Sequence, residues 1–243
     1  MTEDTLPHNE EIARVLRDEI LRGQYRPGER LPSERDLAAR FEVSRGVIRE
    51  ALKRLEQLGI TKVQPGGARV VPLEEATLDV LGPLLDLKQL PDPDLVDQTL
   101  EVMSALMVLA ARQAVERADE GQMQKALTMV RRMEDESTPQ LERIAAVREL
   151  MLHFVEASNN LVIRLVVNGL KPQFLGRLQA LELRPAPNRA ALTSVYRHLE
   201  RGLAERNGAT TADAIDQLNR LMRESLVRSM NEVASTPIVE GVS

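Results

Sequence analysis

Two arginines four residues apart, Arg45 and Arg49, with Lys53 a further turn on, stand in the stretch Ser44-Arg-Gly-Val-Ile-Arg-Glu-Ala-Leu-Lys53. At 100° per residue they gather with Gly46 on one side of a helix, while Ile48, Ala51, Leu52 and Leu55 gather on another. A guanidinium presented from the first turns of such a helix can pair bidentately with O6 and N7 of guanine. That contact is worth roughly 1–3 kcal/mol of discrimination. Gly46 has no side chain and allows close approach to a DNA backbone. The other reading of the same residues is an arginine-decorated solvated face. Other chemistries find less material here. The 243 residues contain no cysteine and three histidines, His8, His153 and His198. Disulfide frameworks, thiolate zinc sites and cysteine nucleophiles are therefore excluded. There is no glycine-rich nucleotide loop and no HExxH pair, so the chain does not read as an enzyme.

The charge is distributed to match the first reading. The formal net charge is −5. Between Arg22 and Arg69, however, eleven basic residues face six acidic ones, so that segment is +5 and the remainder −10. A basic module on an acidic body confines phosphate binding to one surface.

The elements that must position these residues can be read around them. Ile12, Val15, Leu16 and Ile20 recur at helical spacing and predict an amphipathic first helix, ended by Gly23 and Pro27-Gly28. Ser33 is placed to cap a second helix through about Phe41, with Asp36 set to complete a capping box. Ser44 is placed to cap a third helix running to Leu58, and Gly59 occupies a helix C-terminal glycine position. Residues 60–63 and 68–71 are β-prone and flank Gln64-Pro-Gly-Gly67, which predicts a small hairpin. Helix, helix, short turn, helix and hairpin make a winged helix-turn-helix.

The rest of the chain has helical periodicity over 95–117, 122–133, 140–157, 161–183, 189–205 and 211–230, with breaks at Pro91/Pro93, Pro139, Asn159-Asn160, Pro185/Pro187 and Asn207-Gly208. Pro172 falls inside one helix and should kink it. The fold class is therefore mainly α. A winged helix-turn-helix domain over 1–75 is followed by an all-α bundle of six to seven helices over 76–232 and a flexible tail over 233–243. Only 2% of residues are aromatic, which fits helices better than a sheet-rich sandwich. No apolar run approaches the roughly 20 residues of a membrane span, and the acidic N-terminus lacks a signal-peptide core. The expectation is a soluble, cytoplasmic protein with no membrane partner.

The string Gly23-Gln-Tyr-Arg-Pro-Gly-Glu-Arg-Leu-Pro-Ser-Glu-Arg-Asp-Leu-Ala, followed by Val43-Ser-Arg-Gly-Val-Ile-Arg-Glu-Ala-Leu-Lys-Arg-Leu, closely resembles the GntR family of bacterial transcription regulators. The resemblance covers nearly all of residues 9–72. It implies that Arg35 of the Pro-Ser-Glu-Arg motif contacts DNA together with Arg45 and Arg49. It also implies that Gly66 at the wing tip enters the minor groove. Relatives often carry Thr where this chain has Gly46, and His where it has Pro65, so the operator sequence need not be theirs. The resemblance further implies a homodimer on a palindromic double-stranded operator.

The helical region is similar to the FadR-type effector domain (FCD), centred on Glu156-Ala-Ser-Asn-Asn160 and Val167-Asn-Gly-Leu-Lys171. Many such domains hold a divalent metal through an Asp-x-x-x-His pair and two later histidines. By alignment on Asn160 those positions fall on Val147, Met151, Tyr196 and Ser225. None but a hydroxyl suits a divalent ion, and His153 and His198 lie about two residues off register. Met103 stands where relatives usually carry Arg. The resemblance is thus to the metal-free, fatty-acid-responsive members. It implies no metal or bound cofactor, and a long-chain acyl-CoA or fatty-acid effector near Met151, Asn168, Tyr196 and Ser225. Ordinary core packing is an equal reading of Met151, Tyr196 and Ser225 taken singly. A metal-dependent, small-carboxylate-responsive regulator is the alternative function.

Overall fold

The computed structural model describes the backbone of residues 8–180 and 187–235. It divides into two compact units, Met1–Pro91 and Asp92–Ser243. In the first, α1 (His8–Leu21), α2 (Glu34–Arg40) and α3 (Arg45–Gln57) precede a two-stranded antiparallel hairpin, β1 (Thr61–Gln64) and β2 (Gly67–Val70). The predicted periodicities are met. Leu16 of α1, Leu37 of α2 and Ile48, Ala51, Leu52 and Leu55 of α3 are buried together with Leu31, Ile60, Ala68 and Val70. Gln64 pairs with Gly67, leaving Pro65-Gly66 as a two-residue turn, and both glycines take positive φ (101° and 124°), a region that L side chains rarely enter.

The loop before α2 belongs to the same sheet. The Gly28 amide donates to the Val70 carbonyl, the Val70 amide to the Glu29 carbonyl and the Leu31 amide to the Ala68 carbonyl. Arg30 thereby forms an isolated antiparallel bridge with Arg69. The segment carrying Pro32-Ser-Glu-Arg35 is thus anchored to the wing as well as to α2.

The expected domain boundary after residue 75 falls later. Two single 3-10 turns (Leu73–Glu75 and Leu78–Val80) and the short α4 (Leu81–Leu85) pack on the winged unit. Ala76, Val80 and Leu84 join its core, and the Thr77 amide donates to the Leu58 carbonyl. Gly59 makes this possible. A Cβ there would come within 2.9 Å of the Thr77 amide nitrogen, and its φ is +73°.

The second unit is a helical bundle of α5 (Pro93–Arg117), α6 (Glu120–Glu134), α7 (Gln140–Ala157), α8 (Leu161–Ala180), α9 (Arg189–Ala204) and α10 (Gly208–Ser235). All six predicted helices are present. α6 begins two residues early because Asp119 and Gln122 form a reciprocal capping box. The backbone of α8 stays helical through Pro172. α10 runs three residues past the expected end of the bundle, and residues 236–243 of the expected tail lie outside the described residues, as do Pro185 and residues 1–7. The core is built from small residues on α5 (Ala110, Ala111, Ala114) and larger ones around them, including Val130, Leu150, Phe154, Tyr196, Leu199 and Leu218.

The motif Glu156-Ala-Ser-Asn-Asn160 has a structural explanation as the turn between α7 and α8. Asn159 takes a left-handed conformation (φ 48°), and the Ser158 hydroxyl donates to the Val155 carbonyl. The Asn160 side chain accepts from the Val162 and Ile163 amides while its NH2 donates to Gln113 of α5. Arg117 of α5 donates to the Ser158 carbonyl at 2.6 Å. The turn therefore caps α8 and ties it to α5.

α9 and α10 approach most closely at Gly202, where an added Cβ would meet the Thr211 hydroxyl at 2.7 Å and its amide nitrogen at 2.8 Å. Gly169, on the exposed side of α8, has nothing within 4 Å of such a Cβ. Gly202→Ala is therefore expected to destabilise the protein by about 1–3 kcal/mol through overpacking. Gly169→Ala is expected to leave it unchanged or up to about 1 kcal/mol more stable through helix propensity. Urea unfolding of the two variants beside the parent checks both.

Candidate nucleic-acid interface and effector site

The buried face of α3 fixes where its charges point. With Ile48, Ala51, Leu52 and Leu55 turned inward, Arg45, Gly46, Arg49 and Lys53 are all exposed. Arg45 has no ion pair or side-chain hydrogen bond among the described residues. The Arg49 Nε donates to Glu34 Oε2 at 2.8 Å, and Arg35 Nε lies 3.5 Å from Asp36 Oδ1. Both pairs are solvent-exposed, so they add little to stability and can be exchanged for a phosphate or base edge. The exchange is easiest for Arg35, whose side chain is 77% exposed. α2 therefore places Glu34 beside the charged side of α3, with Arg35 next to it in the chain, a juxtaposition that the sequence pattern alone does not contain.

Ser44 holds the N-cap position of α3 through its backbone, its carbonyl accepting from the Val47 and Ile48 amides. The expected side-chain cap is absent: the hydroxyl makes no capping bond. The exposed Ser44 hydroxyl and the uncapped N–H groups of the first turn together form the donor set that helix N-termini offer to phosphates. Ser33 by contrast does cap α2, accepting from the Asp36 amide. The predicted reciprocal box is replaced by a bond from the Ser33 hydroxyl to the Asp36 carboxylate at 2.6 Å, which holds that carboxyl below its usual pKa. A shallow depression of about 670 Å³ opens between the start of α1 and the first turn of α3, with Ser44, Gly46 and Glu50 in its wall. A Cβ on Gly46 would meet only the Ser44 hydroxyl, at 3.7 Å, so the fold itself does not demand glycine there.

At the wing, Gly66 is exposed at the turn. The Arg30 guanidinium lies against it: built Cβ positions on Gly66 and Gly67 would come 3.7 Å from Arg30 Nη2 and 3.0 Å from Arg30 Nε respectively. Sequence reasoning counted Arg30 only in the charge balance. The signal that could have singled it out is its place in the chain directly before Leu-Pro-Ser-Glu, on a segment able to pair with the hairpin.

In the helical unit the four effector positions separate. Tyr196 of α9 and Ser225 of α10 are buried, and Met151 of α7 is half-buried and packs on the same core, as do Val147, Met103, Leu221 and Met222. Asn168 is exposed on α8, because the inward face of that helix is set by Ile163, Val167, Leu170 and Phe174, and Asn168 points away from it. Burial raises the Tyr196 phenol pKa, with the Arg143 guanidinium opposing it, so the phenol is a neutral donor. Arg143 stands one turn before Val147 on α7. Its Nη2 donates to the Asp135 and Thr138 carbonyls, at 2.9 and 3.0 Å, while its buried Nε has no partner. Sequence reasoning missed Arg143; its i, i+4, i+8 spacing with Val147 and Met151 is the available signal.

The histidines are engaged elsewhere. His153 Nε2 lies 2.8 Å from the Gln122 carbonyl and ties α7 to α6. His198 Nδ1 accepts from Arg201 and its Nε2 meets Asp213 at 3.1 Å. Among the described residues no three of His, Asp and Glu converge to hold a metal. A groove of about 670 Å³ between the start of α5 and the end of α10 carries the charged side chains of Asp94, Asp97 and Arg223 in its walls and is not lined by Met151, Tyr196 or Ser225. No helix among the described residues is long and apolar enough to cross a membrane.

Comparison with known proteins agrees with both units. Residues 8–71 match the family described as bacterial regulatory proteins, gntR family, and residues 98–224 match the FCD domain. An HTH-type transcriptional regulator of Mycobacterium tuberculosis is 32% identical over 185 residues, 71% of each chain. The regulator Mce2R of the same species is 29% identical over 228 residues, 93% of this chain and 94% of the relative. A fatty acid metabolism regulator protein of Shewanella halifaxensis is 27% identical over 191 residues, 77% of each. Among solved structures, Listeria monocytogenes Lar superposes with a TM-score of 0.52 at 20% identity, over 96% of this chain and 100% of that one, and shares the fold. The chain belongs to the gntR family of bacterial regulators, with an FCD domain as its second unit, and is a DNA-binding transcription regulator rather than an enzyme.

Proposed function

We propose that the protein is a ligand-responsive regulator that binds a palindromic operator as a homodimer and responds to an acyl-CoA or fatty-acid-like effector. The observation that carries the DNA half is the exposure of Ser44, Arg45, Gly46 and Arg49 on the one side of α3 that its buried face leaves free. Two such helices, one per protomer, would read the half-sites of a palindrome, and the symmetry of the dimer would set their spacing. Arg35 and the wing glycine Gly66 would add contacts on either side of the groove that α3 enters.

The effector half rests on the makeup of the core that contains Tyr196. Met103, Met107, Met123, Met133, Met151 and Met222 belong to or pack on the same core. Methionine side chains are flexible and can make way for an apolar chain. Arg143 and the neutral Tyr196 phenol offer donors for the acidic or thioester end, and a buried polar end needs such partners. The relatives named as fatty acid metabolism regulators point the same way. Bound effector would favour the arrangement of the dimer in which both winged units cannot engage DNA at once. Complete reversal of occupancy, from 1:99 to 99:1, requires about 5.5 kcal/mol of differential affinity.

Three outcomes are expected. Arg45→Ala and Arg49→Ala should each cost about 1–3 kcal/mol of operator affinity and relax the preference at one base pair, read by selection from a random duplex pool followed by titration. Binding like the parent by both variants sinks the groove assignment. Gly46→Ala should fold, be as stable as the parent or up to about 1 kcal/mol more so, and bind the selected duplex more weakly, because the added methyl enters the space that close approach requires. Native mass spectrometry with and without long-chain acyl-CoA, with elemental analysis on the same sample, should show a dimer that takes up acyl-CoA without stoichiometric metal. Stoichiometric metal with no acyl-CoA uptake supports the small-carboxylate alternative instead.

A further inference from the structure

The wing as built has an uncharged tip. Gln64, Pro65, Gly66 and Gly67 carry no cation, although a wing that approaches a polyanion gains most of its affinity from charge. The structure supplies the missing charge from a different segment. Arg30 sits on the strand-like stretch that hydrogen-bonds to β2, and its guanidinium is laid across the turn, 3.0 to 3.8 Å from the places where side chains on Gly66 and Gly67 would begin. The φ of +124° at Gly67 favours glycine there, and a side chain would press on the Arg30 head group at 3.0 Å.

Arg30 is also free to act. Its residue is exposed, and it makes no ion pair or side-chain hydrogen bond among the described residues. The neighbouring acid, Glu29, is turned away to accept from the Arg26 amide at 2.8 Å. Arg69, its bridge partner, is occupied by donating to the Gly28 carbonyl at 2.9 Å. A guanidinium whose stem is held by sheet-type pairing, and whose head group rests on backbone without an anion, is pre-organised for one. The narrow, electronegative minor groove attracts inserted arginine and lysine side chains.

We infer that Arg30 is the DNA-contacting cation of the wing, reaching the DNA beside Gly66 in place of a charged residue at the turn itself. The inference rests on the winged unit binding DNA as proposed above. It assigns to the loop before α2 a direct part in recognition, and it makes the wing a composite of two segments separated by more than thirty residues.

The test uses the full-length protein and a duplex selected from a random pool by the parent. Arg30→Met keeps the aliphatic stem and removes the charge, while Arg30→Lys keeps a charge on a different head group. Arg30→Met is expected to weaken binding about tenfold and to reduce the magnitude of the salt slope by about one. Arg30→Lys is expected to retain the parental slope and recover most of the affinity. A methionine variant with the parental affinity and slope overturns the assignment. So does a lysine variant as weak as the methionine variant when the salt slope of both equals the parent's, since that pattern belongs to a brace for the hairpin. Arg45→Ala is run in parallel. If it too binds like the parent, the winged unit's DNA reading fails, whereas loss at Arg45 with none at Arg30 removes the present inference alone.

Discussion

Four side chains, Ile48, Ala51, Leu52 and Leu55, hold α3 at one rotation about its own axis, and the DNA face follows from that setting. Turning the helix by a single residue would swing it 100° and bring Ile48, Leu52 and Leu55 toward water, at about 1.5–3 kcal/mol for each large side chain. Against that penalty, the exposed ion pairs of Arg49 and Arg35 weigh little. The arginines are therefore aimed by apolar burial, while their own pairings with Glu34 and Asp36 remain loose enough to be given up. This division of labour suits a reader of DNA, because the groups that must exchange partners are not those that hold the fold.

The loop from Pro27 to Leu31 extends the same logic to the wing. A two-stranded hairpin is marginal by itself, and here it gains a third, strand-like edge from the segment that leads into Pro32-Ser-Glu-Arg35. Backbone pairing thus places Arg35, the wing glycines and Arg30 in one framework with α3. Gly59 closes the other end, where the approach of Thr77 leaves no room for a side chain.

The helical unit is organised differently. Its polar motifs are spent on joints: Ser158 and Asn160 in the α7–α8 turn, Asp119 and Gln122 at the start of α6, and His153 between α7 and α6. The core that contains Tyr196 is apolar and includes or carries several methionines. Among the described residues of this unit Glu134 Oε1, Arg143 Nε and Asn219 Nδ2 are buried without a partner, and an unpaired buried donor is a cost that a ligand can remove.

Much of this was legible before any coordinates. The periodicity of α1, α3 and the six bundle helices is strong because each buries one stripe, and burial is what writes a 3.6-residue pattern into a chain. The Pro-Gly-Gly turn was legible because only glycine tolerates the positive φ values required there. Polar side-chain choices were less so. Ser44 reads as a side-chain cap yet leaves its hydroxyl unused, Asn168 reads as a site residue yet faces outward, and residues 76–84 read as part of the bundle yet Ala76, Val80 and Leu84 join the winged core. In each case local pattern names a donor or an apolar residue without naming the neighbour that meets it. Sequence by itself determined the family, the order of the elements and the basic face of α3, because these depend on composition and short-range spacing. Tertiary structure alone decided that Arg30 rests on the wing, that Glu34 holds Arg49 and that His153 meets the Gln122 carbonyl. Those pairings join residues that are distant along the chain, and backbone pairing and core packing, rather than local spacing, bring them together.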